Sequence, residues 1–415
     1  MIEHISHKLT LVTLLATALY AAGARAGDVE APMFSFSGFG TLGVVHSSER
    51  QADFISSILK PKGAGYSHAW SADVDSLIGG QVTANFTPKL SAVLQVIAEQ
   101  NYDNSYRPHV EWANIKYQLT PDFSVRAGRT LLPTFLLSDT RKVAYTYPWV
   151  RPPLEVYRLA PVTASDGVDA SYQMRTGDIT NILQAHYGKS ENKLPAGSGT
   201  IKGEQSWGLA YTGEYHAITV HIGYESTHMT LDATKPLFDA FRQFGPEGIA
   251  IADKYGIDNT PLSVVTMGAR YDPGQWFVMG EAAHLVTHTV FGTGTGWYLS
   301  GGYRLGRFTP YITYSEAKAD NLSDPGLNLS TLPPPLIGPA AGLNAALNSL
   351  LSVKPVQNTL SIGGRWDFMR NAALKLQYDH TRIGAGSSGV LSKLQPGFQT
   401  GGKVNVISAT IDFVF

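Results

Sequence analysis

The sequence predicts an all-β protein, a transmembrane antiparallel β-barrel of about 16 strands, and three observations support that fold class. Strand-like segments alternate apolar and polar residues, short and long connections alternate along the chain, and only 16% of the residues are charged. Soluble domains usually carry about 25% charged residues. The chain has no cysteine, which excludes disulfides, thiolate metal sites and cysteine nucleophiles. A net charge of −1 points to neither nucleic acid nor an acidic partner.

The first 26 residues are typical of an export signal. An apolar run from Thr10 to Ala22 precedes the small-residue pattern Ala24-Arg25-Ala26, which fits a cleavage site. The run is shorter than the roughly 20 apolar residues of a transmembrane helix. We therefore expect residues 1–26 to be a signal peptide and residues 27–415 to form the barrel domain.

Seven short turns alternate with eight longer connections, as expected for 16 strands. The turns contain Pro, Gly, Asn or Asp, which turn geometry favours, near 87–89, 120–122, 175–178, 214–217, 272–275, 305–308 and 369–371. The longer connections are expected near 47–65, 103–106, 133–164, 189–202, 231–260, 290–295, 319–356 and 384–402. Tight turns at one rim and long loops at the other are typical of barrels in the bacterial outer membrane.

The last strand shows how the two faces of the sheet differ. Its sequence, ISATIDFVF, puts Ile407, Ile411 and Phe415 on one face and Ser408 and Asp412 on the other. A barrel of about 16 strands encloses a space too wide for side chains to fill. We therefore expect the apolar face to contact lipid and the charged face to line a water-filled lumen. Because closure removes the free edges of a sheet, this strand should pair with the first, Met33 to His46.

With these features the chain resembles a Gram-negative outer-membrane porin. The resemblance covers nearly the whole mature chain, including the opening strand FSFSGFGTLGV and the terminal Phe415. Its most specific part is VRAGRTLLPTFLLSDTRKVAYTYPWVRPPLEVY, from Val125 to Tyr157, which is similar to the fifth strand and following loop of porins. The resemblance implies a homotrimer in the cell outer membrane, with the third loop folded into each lumen as the constriction. It also implies that the terminal aromatic residue is read by the insertion machinery.

The third long connection, Pro133 to Ala164, is the strongest candidate for a functional site. Loops of this length are functional or disordered, and its many aromatic and aliphatic residues argue against disorder. Charged residues on this loop and on nearby inward strand positions would set ion preference, as rings of charge do in pores. We expect the constriction and lumen to be lined by Arg126, Arg129, Asp139, Arg141, Lys142, Arg151, Glu155, Arg158, Asp166, Lys116, Arg365 and Lys375.

The excess of lysine and arginine in this set suggests a lean toward anions or carboxylates. The alternative is that these cations pair with nearby carboxylates and hold the loop down, and for Arg151 and Arg158 the two roles stay open. Two further loops are apolar, one with PLFDAFRQF and one with LPPPLIGPAAGLNAALNSLL. They would cap the mouth, contact a neighbouring subunit or pack on each other.

Two motif matches are not sites. GFGTLG, from Gly38 to Gly43, fits a dinucleotide pattern, but strand alternation runs through it where that pattern needs a helix. His284 and His288 would lie roughly 13 Å apart on a strand, too far to share a metal. The sequence thus predicts a passive channel for small hydrophilic solutes, with outer-membrane lipid and lipopolysaccharide around it and no cofactor. The alternatives are a channel selective for one solute, a plugged barrel, or a barrel enzyme such as a hydrolase with about 10 to 12 strands.

Overall fold

Sixteen long strands form one closed antiparallel barrel in the computed structural model, which describes residues 33–320, 322–352 and 354–415. The predicted fold class and strand number are confirmed, and the predicted signal peptide lies outside the described residues. The strands are β1 Phe34–Ser47, β2 Leu77–Asn85, β3 Leu90–Glu99, β4 His109–Gln118, β5 Phe123–Leu131, β6 Ala164–Thr176, β7 Ile179–Lys193, β8 Thr200–Tyr215, β9 Ile218–Leu231, β10 Thr260–Tyr271, β11 Trp276–Thr287, β12 Gly294–Tyr303, β13 Phe308–Ala319, β14 Gln357–Met369, β15 Ala372–Ile383 and β16 Gly402–Val414.

The barrel closes where β16 pairs with β1, in a register that runs from Phe39 opposite Val414 to Ser47 opposite Val406. The rings of Phe413 and Phe415 cover glycines of β1 at this seam. A Cβ atom at Gly38 would lie 2.2 Å from the Phe415 ring, so a larger residue there would displace the ring. The alternating C-terminal strand is therefore the closing strand, as predicted.

The two faces of the wall differ as the alternation predicts. On β16, Ser408, Thr410 and Asp412 are at most 1% exposed, whereas Ile407 and Ile411 on the other face are more than 40% exposed. The polar residues thus lie inside and the apolar residues outside, the reverse of a soluble barrel. Such a surface requires an apolar surrounding, and lipid supplies it.

Eight connections, which we number loops 1 to 8, lie at the rim opposite the seven short turns. They comprise 48–76, 100–108, 132–163, 194–199, 232–259, 288–293, 320–356 and 384–401. Loop 1 contains the two-residue strands Asp53–Phe54, Ala64–Gly65 and Trp70–Ser71. Loop 4 is shorter than expected because β7 and β8 continue their pairing to Lys193 opposite Thr200, which leaves a six-residue connection.

Four α-helices lie in the described loops: α1 Leu154–Tyr157 in loop 3, α2 Lys235–Arg242 and α3 Gly245–Tyr255 in loop 5, and α4 Pro334–Ser352 in loop 7. Short 3-10 turns occur at Ser138–Thr140, Ala144–Thr146, Pro195–Gly197, Asp232–Thr234 and Leu329–Thr331. The apolar loops 5 and 7 pack on each other, one of the three arrangements expected for them. Their shared core includes Phe238, Phe241, Leu347 and Leu351. No helix among the described residues is long and apolar enough to cross a membrane.

Candidate pore constriction

Loop 3 folds into the barrel and packs against the inner face of the wall from β9 to β16. Trp149 is 1% exposed, and its Nε1 donates hydrogen bonds of 2.9 Å to Ser300 on β12 and Thr313 on β13. Farther back in the loop, Thr134 accepts a hydrogen bond from Thr266 on β10. The loop therefore spans the lumen instead of standing above it.

Arg151 is the strongest tie between loop 3 and the wall. Its guanidinium makes two hydrogen bonds to Asp75 of loop 1, at 2.8 and 2.6 Å, and one of 2.7 Å to Ser408 on β16. It also lies 3.4 Å from a carboxylate oxygen of Asp379 on β15. Burial lowers the pKa of Arg151, but the attraction of Asp75 and Asp379 outweighs it and raises that pKa. Both Asp75 and Arg151 are under 10% exposed, so this buried group holds the loop against the wall.

Glu155 and Arg158, on and just after α1, are also held by the wall and by loop 8. Glu155 accepts hydrogen bonds of 2.6 Å from both Gln357 and Thr359 on β14. Arg158 donates to the backbone oxygen of Gly389 in loop 8 at 3.2 Å. Burial lowers the pKa of Arg158 to about 10, with Glu155 opposing the shift.

Two wall cations on the inner face also bind the backbone of loop 3. Lys375 is fully buried and donates to Ala144 O at 2.6 Å and Trp149 O at 2.7 Å, while its Nζ lies 2.9 Å from Asp412. Arg365 donates to Tyr147 O at 3.2 Å. Both residues lie inside the barrel, as expected, but they fasten the loop.

Arg141 acts within loop 3 itself. It donates to the backbone oxygens of Ala160, at 2.8 Å, and Tyr157, at 2.7 Å. Its guanidinium also lies over the rings of Phe135 and Tyr157, 5.7 and 5.4 Å from their centroids. Burial lowers the pKa of Arg141, with Tyr157 and Glu111 opposing the shift. Arg141 therefore closes the loop on itself.

The opposite side of loop 3 faces β3 to β5 across a more open, polar space. Lys142 bonds Glu99 of β3, and its side chain is 26% exposed. Arg126 on β5 pairs with Asp169 on β6 at 2.8 Å, and its side chain is 27% exposed. Lys116 stands opposite Arg126 in the β4–β5 register.

Asp139 is exposed and close enough to Arg126 and His221 to interact with both. Partial enclosure raises the pKa of its carboxyl group, and the charges of Arg126 and His221 oppose the shift. On this side of the loop, then, the charged groups have access to water.

Arg129 and Asp166 lie together at the loop ends of β5 and β6. Strand β5 continues without a register shift, so Arg129, three residues after Arg126, points to the other side of the strand from Arg126. Asp166 lies on the same face of β6 as the exposed Val168, and the two side chains pair at 2.7 Å with 39% and 46% exposure. Both residues also border the larger cavity beside loop 3, so their expected role as lining residues stays a prediction.

Two cavities lie beside the open side of the loop. A cavity of about 290 Å³ lies between loops 1 and 3 and the loop ends of β3 to β7, and a smaller one of about 100 Å³ lies between loops 1 and 3. Lys60 and Glu111 take part in the first, and our sequence reasoning overlooked both. Alternation from Asn114 and Lys116 would place Glu111 outside, and only the register shift between β3 and β4 at residues 110–112 brings it inside. Nothing periodic marks Lys60. No group of three or more metal-binding side chains occurs among the described residues.

The structure is similar to solved outer-membrane proteins along its whole length. The outer membrane channel DcaP of Acinetobacter baumannii matches with a TM-score of 0.54 and 10% identity, over 94% of this chain and all of that one. OmpF of Salmonella typhi, solved with daunomycin, matches with a TM-score of 0.53 and 12% identity, over 92% of this chain and 97% of that one. OmpT of Vibrio cholerae matches with a TM-score of 0.50 and 11% identity, over 93% of this chain and 99% of that one. The fold is that of a 16-stranded porin. No protein-family model and no curated protein sequence matches the chain.

Proposed function

We propose that the chain is an outer-membrane channel through which small hydrophilic solutes diffuse passively. One observation carries the proposal: a closed barrel, apolar outside and polar inside, has a long loop folded across its lumen. Such a wall suits lipid on one side and water on the other, and the loop narrows the path. Porin-like folds at 10–12% identity support the architecture, and the solute is inferred from the lining alone.

The channel is a homotrimer in this proposal, exported by its signal peptide and surrounded by outer-membrane lipid and lipopolysaccharide. The first test is single-channel recording of the purified protein in a planar bilayer. We expect stepwise conductance with closures in groups of three. A correctly folded protein that conducts no current would contradict the channel and favour the plugged barrel.

A barrel enzyme such as a hydrolase is the alternative from another class. The 16 observed strands disfavour it, because we expected about 10 to 12 for such an enzyme.

The proposed preference for anions rests on fewer residues than the sequence suggested, because most cations of loop 3 form contacts that hold the loop in place. Arg126 faces the lumen and keeps part of its side chain exposed. We expect Arg126→Ala to lower anion preference, measured as the reversal potential under a salt gradient, and Lys189→Ala, at an exposed lysine outside both cavities, to leave it unchanged. If both variants shift the potential equally, Arg126 is not at the constriction.

A further inference from the structure

The two cavities beside loop 3 meet at a cluster of charged side chains. Both are lined by the same six residues, Ser57, Lys60, Glu99, Lys142, Pro161 and Thr163. We call this place the junction. Because the junction borders both the larger and the smaller cavity, a solute moving from one cavity to the other passes these side chains.

Charges of both signs are held close together at the junction. Glu99 lies between two lysines, bonded to Lys142 and 3.6 Å from Lys60. Glu111, in the larger cavity, accepts a hydrogen bond of 2.5 Å from Thr163 and lies 3.6 Å from His109. Lys60, Glu99 and Lys142 at the junction, together with Glu111 beside it in the larger cavity, give a formal charge of 2 − 2 = 0. The junction and Glu111 together therefore carry no net charge that favours anions or cations.

The position of these charges favours a solute that carries both signs. An anion that approaches Lys60 and Lys142 is also repelled by Glu99 and Glu111. A cation that approaches the glutamates is repelled by the lysines. A molecule with a carboxylate and an ammonium group can place each beside its opposite. Charge-assisted hydrogen bonds of this kind are stronger than neutral ones.

We propose that the junction binds small zwitterionic solutes of the free amino acid type and so gives the channel its preference. The solute carboxylate lies between Lys142 and Lys60, and its ammonium group lies at Glu111. The larger cavity, about 290 Å³, is at the lower end of the range for small-molecule sites, so the solutes are small. This proposal rests on the proposed channel function.

When a solute binds at the junction, its charged groups replace contacts that the protein side chains make with one another, so no side chain is left with an unpaired charge. Without solute, Lys142 and Lys60 already share Glu99 as their counter-charge, and Lys60 also donates to Val74 O at 2.8 Å. A solute that leaves is replaced by these internal contacts. Conduction needs such a balance, since a site that binds too tightly holds its solute.

The test uses four small solutes that share the alanine carbon skeleton and differ in charge. These are alanine, the anion N-acetylalanine, the cation alaninamide and neutral lactamide, each added to the protein in a planar bilayer. Interruptions of the potassium chloride current give the dissociation constant, at low ionic strength so that salt does not screen the site. We expect alanine to bind about tenfold more tightly than the three analogues, the effect of one additional charge-assisted contact.

Variants locate the site. Lys142→Gln should weaken alanine binding about tenfold, to the level of alaninamide, and Glu111→Gln should weaken it to the level of N-acetylalanine. Lys142→Arg and Glu111→Asp keep the charges and should retain the preference for alanine. The control is Lys189→Gln, which removes an exposed lysine outside both cavities and should change nothing.

The outcomes separate this proposal from the channel itself. Current that all four solutes interrupt equally would overturn zwitterion binding and leave the channel intact. An alanine preference that survives both Lys142→Gln and Glu111→Gln would overturn the assignment to the junction. Folded protein without any potassium chloride current would overturn the channel, and this inference with it.

Discussion

The two sides of loop 3 carry the same kinds of residue and use them differently. On the side that faces β11 to β16, Arg151 and Lys375 are buried and bond carboxylates and backbone oxygens. On the side that faces β3 to β5, Lys142 and Arg126 keep about a quarter of their side chains exposed. A charge without water must be paired within the protein. Arg151 and Lys375 therefore hold the loop, while Lys142 and Arg126 keep access to water.

The largest expected effect is a loss of stability when the buried contacts of Arg151 are removed. Arg151→Met leaves Asp75 and Asp379 buried without their cation, which should lower the free energy of unfolding by about 3–5 kcal/mol. Denaturant unfolding of the purified barrel measures it. The control is Arg242→Met, which breaks exposed Arg–Asp pairs within loop 5 and should cost less than about 1 kcal/mol. Equal losses would contradict the distinction between buried and exposed cations.

A smaller loss is expected from Trp149→Phe. The variant keeps a ring in the packed side but removes the Nε1 donor to Ser300 and Thr313. The free energy of unfolding should fall by about 1–3 kcal/mol, from the lost hydrogen bonds and the volume left empty. Trp207→Phe, on the exposed outer face, serves as the control and should change it less. A larger loss in the control would show that Trp149 does not fix the loop.

The smallest expected effect is a pH step in ion selectivity on the open side. Enclosure raises the pKa of Asp139, against the opposing influence of Arg126 and His221. As the pH falls, Asp139 therefore becomes neutral at a higher pH than an ordinary aspartate, whose pKa is about 3.9. The lumen then loses a negative charge beside Arg126, so anion preference should rise.

Reversal potentials recorded at decreasing pH would show this step. Asp139→Asn should raise anion preference at neutral pH and remove the step on acidification. Titration curves that coincide for the variant and the unmodified protein would mean that other carboxylates cause the change.

The barrel could be predicted from the sequence because strands repeat with a period of two. That period places Ser408 inside and Ile407 outside, and it would have placed Arg129 on the other side of the strand from Arg126 had the spacing been followed past Gly128. The position of loop 3 also follows from its length and composition.

The roles of the loop residues could not be predicted in the same way. Loop 3 has no period, so nothing in the sequence separates Arg151, which is buried, from Lys142, which is not. Lys60 reaches Glu99 only because loop 1 folds back over the barrel mouth. Such contacts depend on two irregular segments at once, and local patterns carry no information about them.

The ties of loop 3 also determine the order in which the molecule can assemble. Arg151 is 228 residues from Asp379 and 257 from Ser408, while Thr41 is 371 residues from its partner Asp412. Contacts between such distant residues form late in folding, because the intervening chain must first be brought together. We therefore expect loop 3 to dock late, only once β15 and β16 are in place, and the β1–β16 seam to close at the same late stage. Until then the molecule has a wall but no constriction.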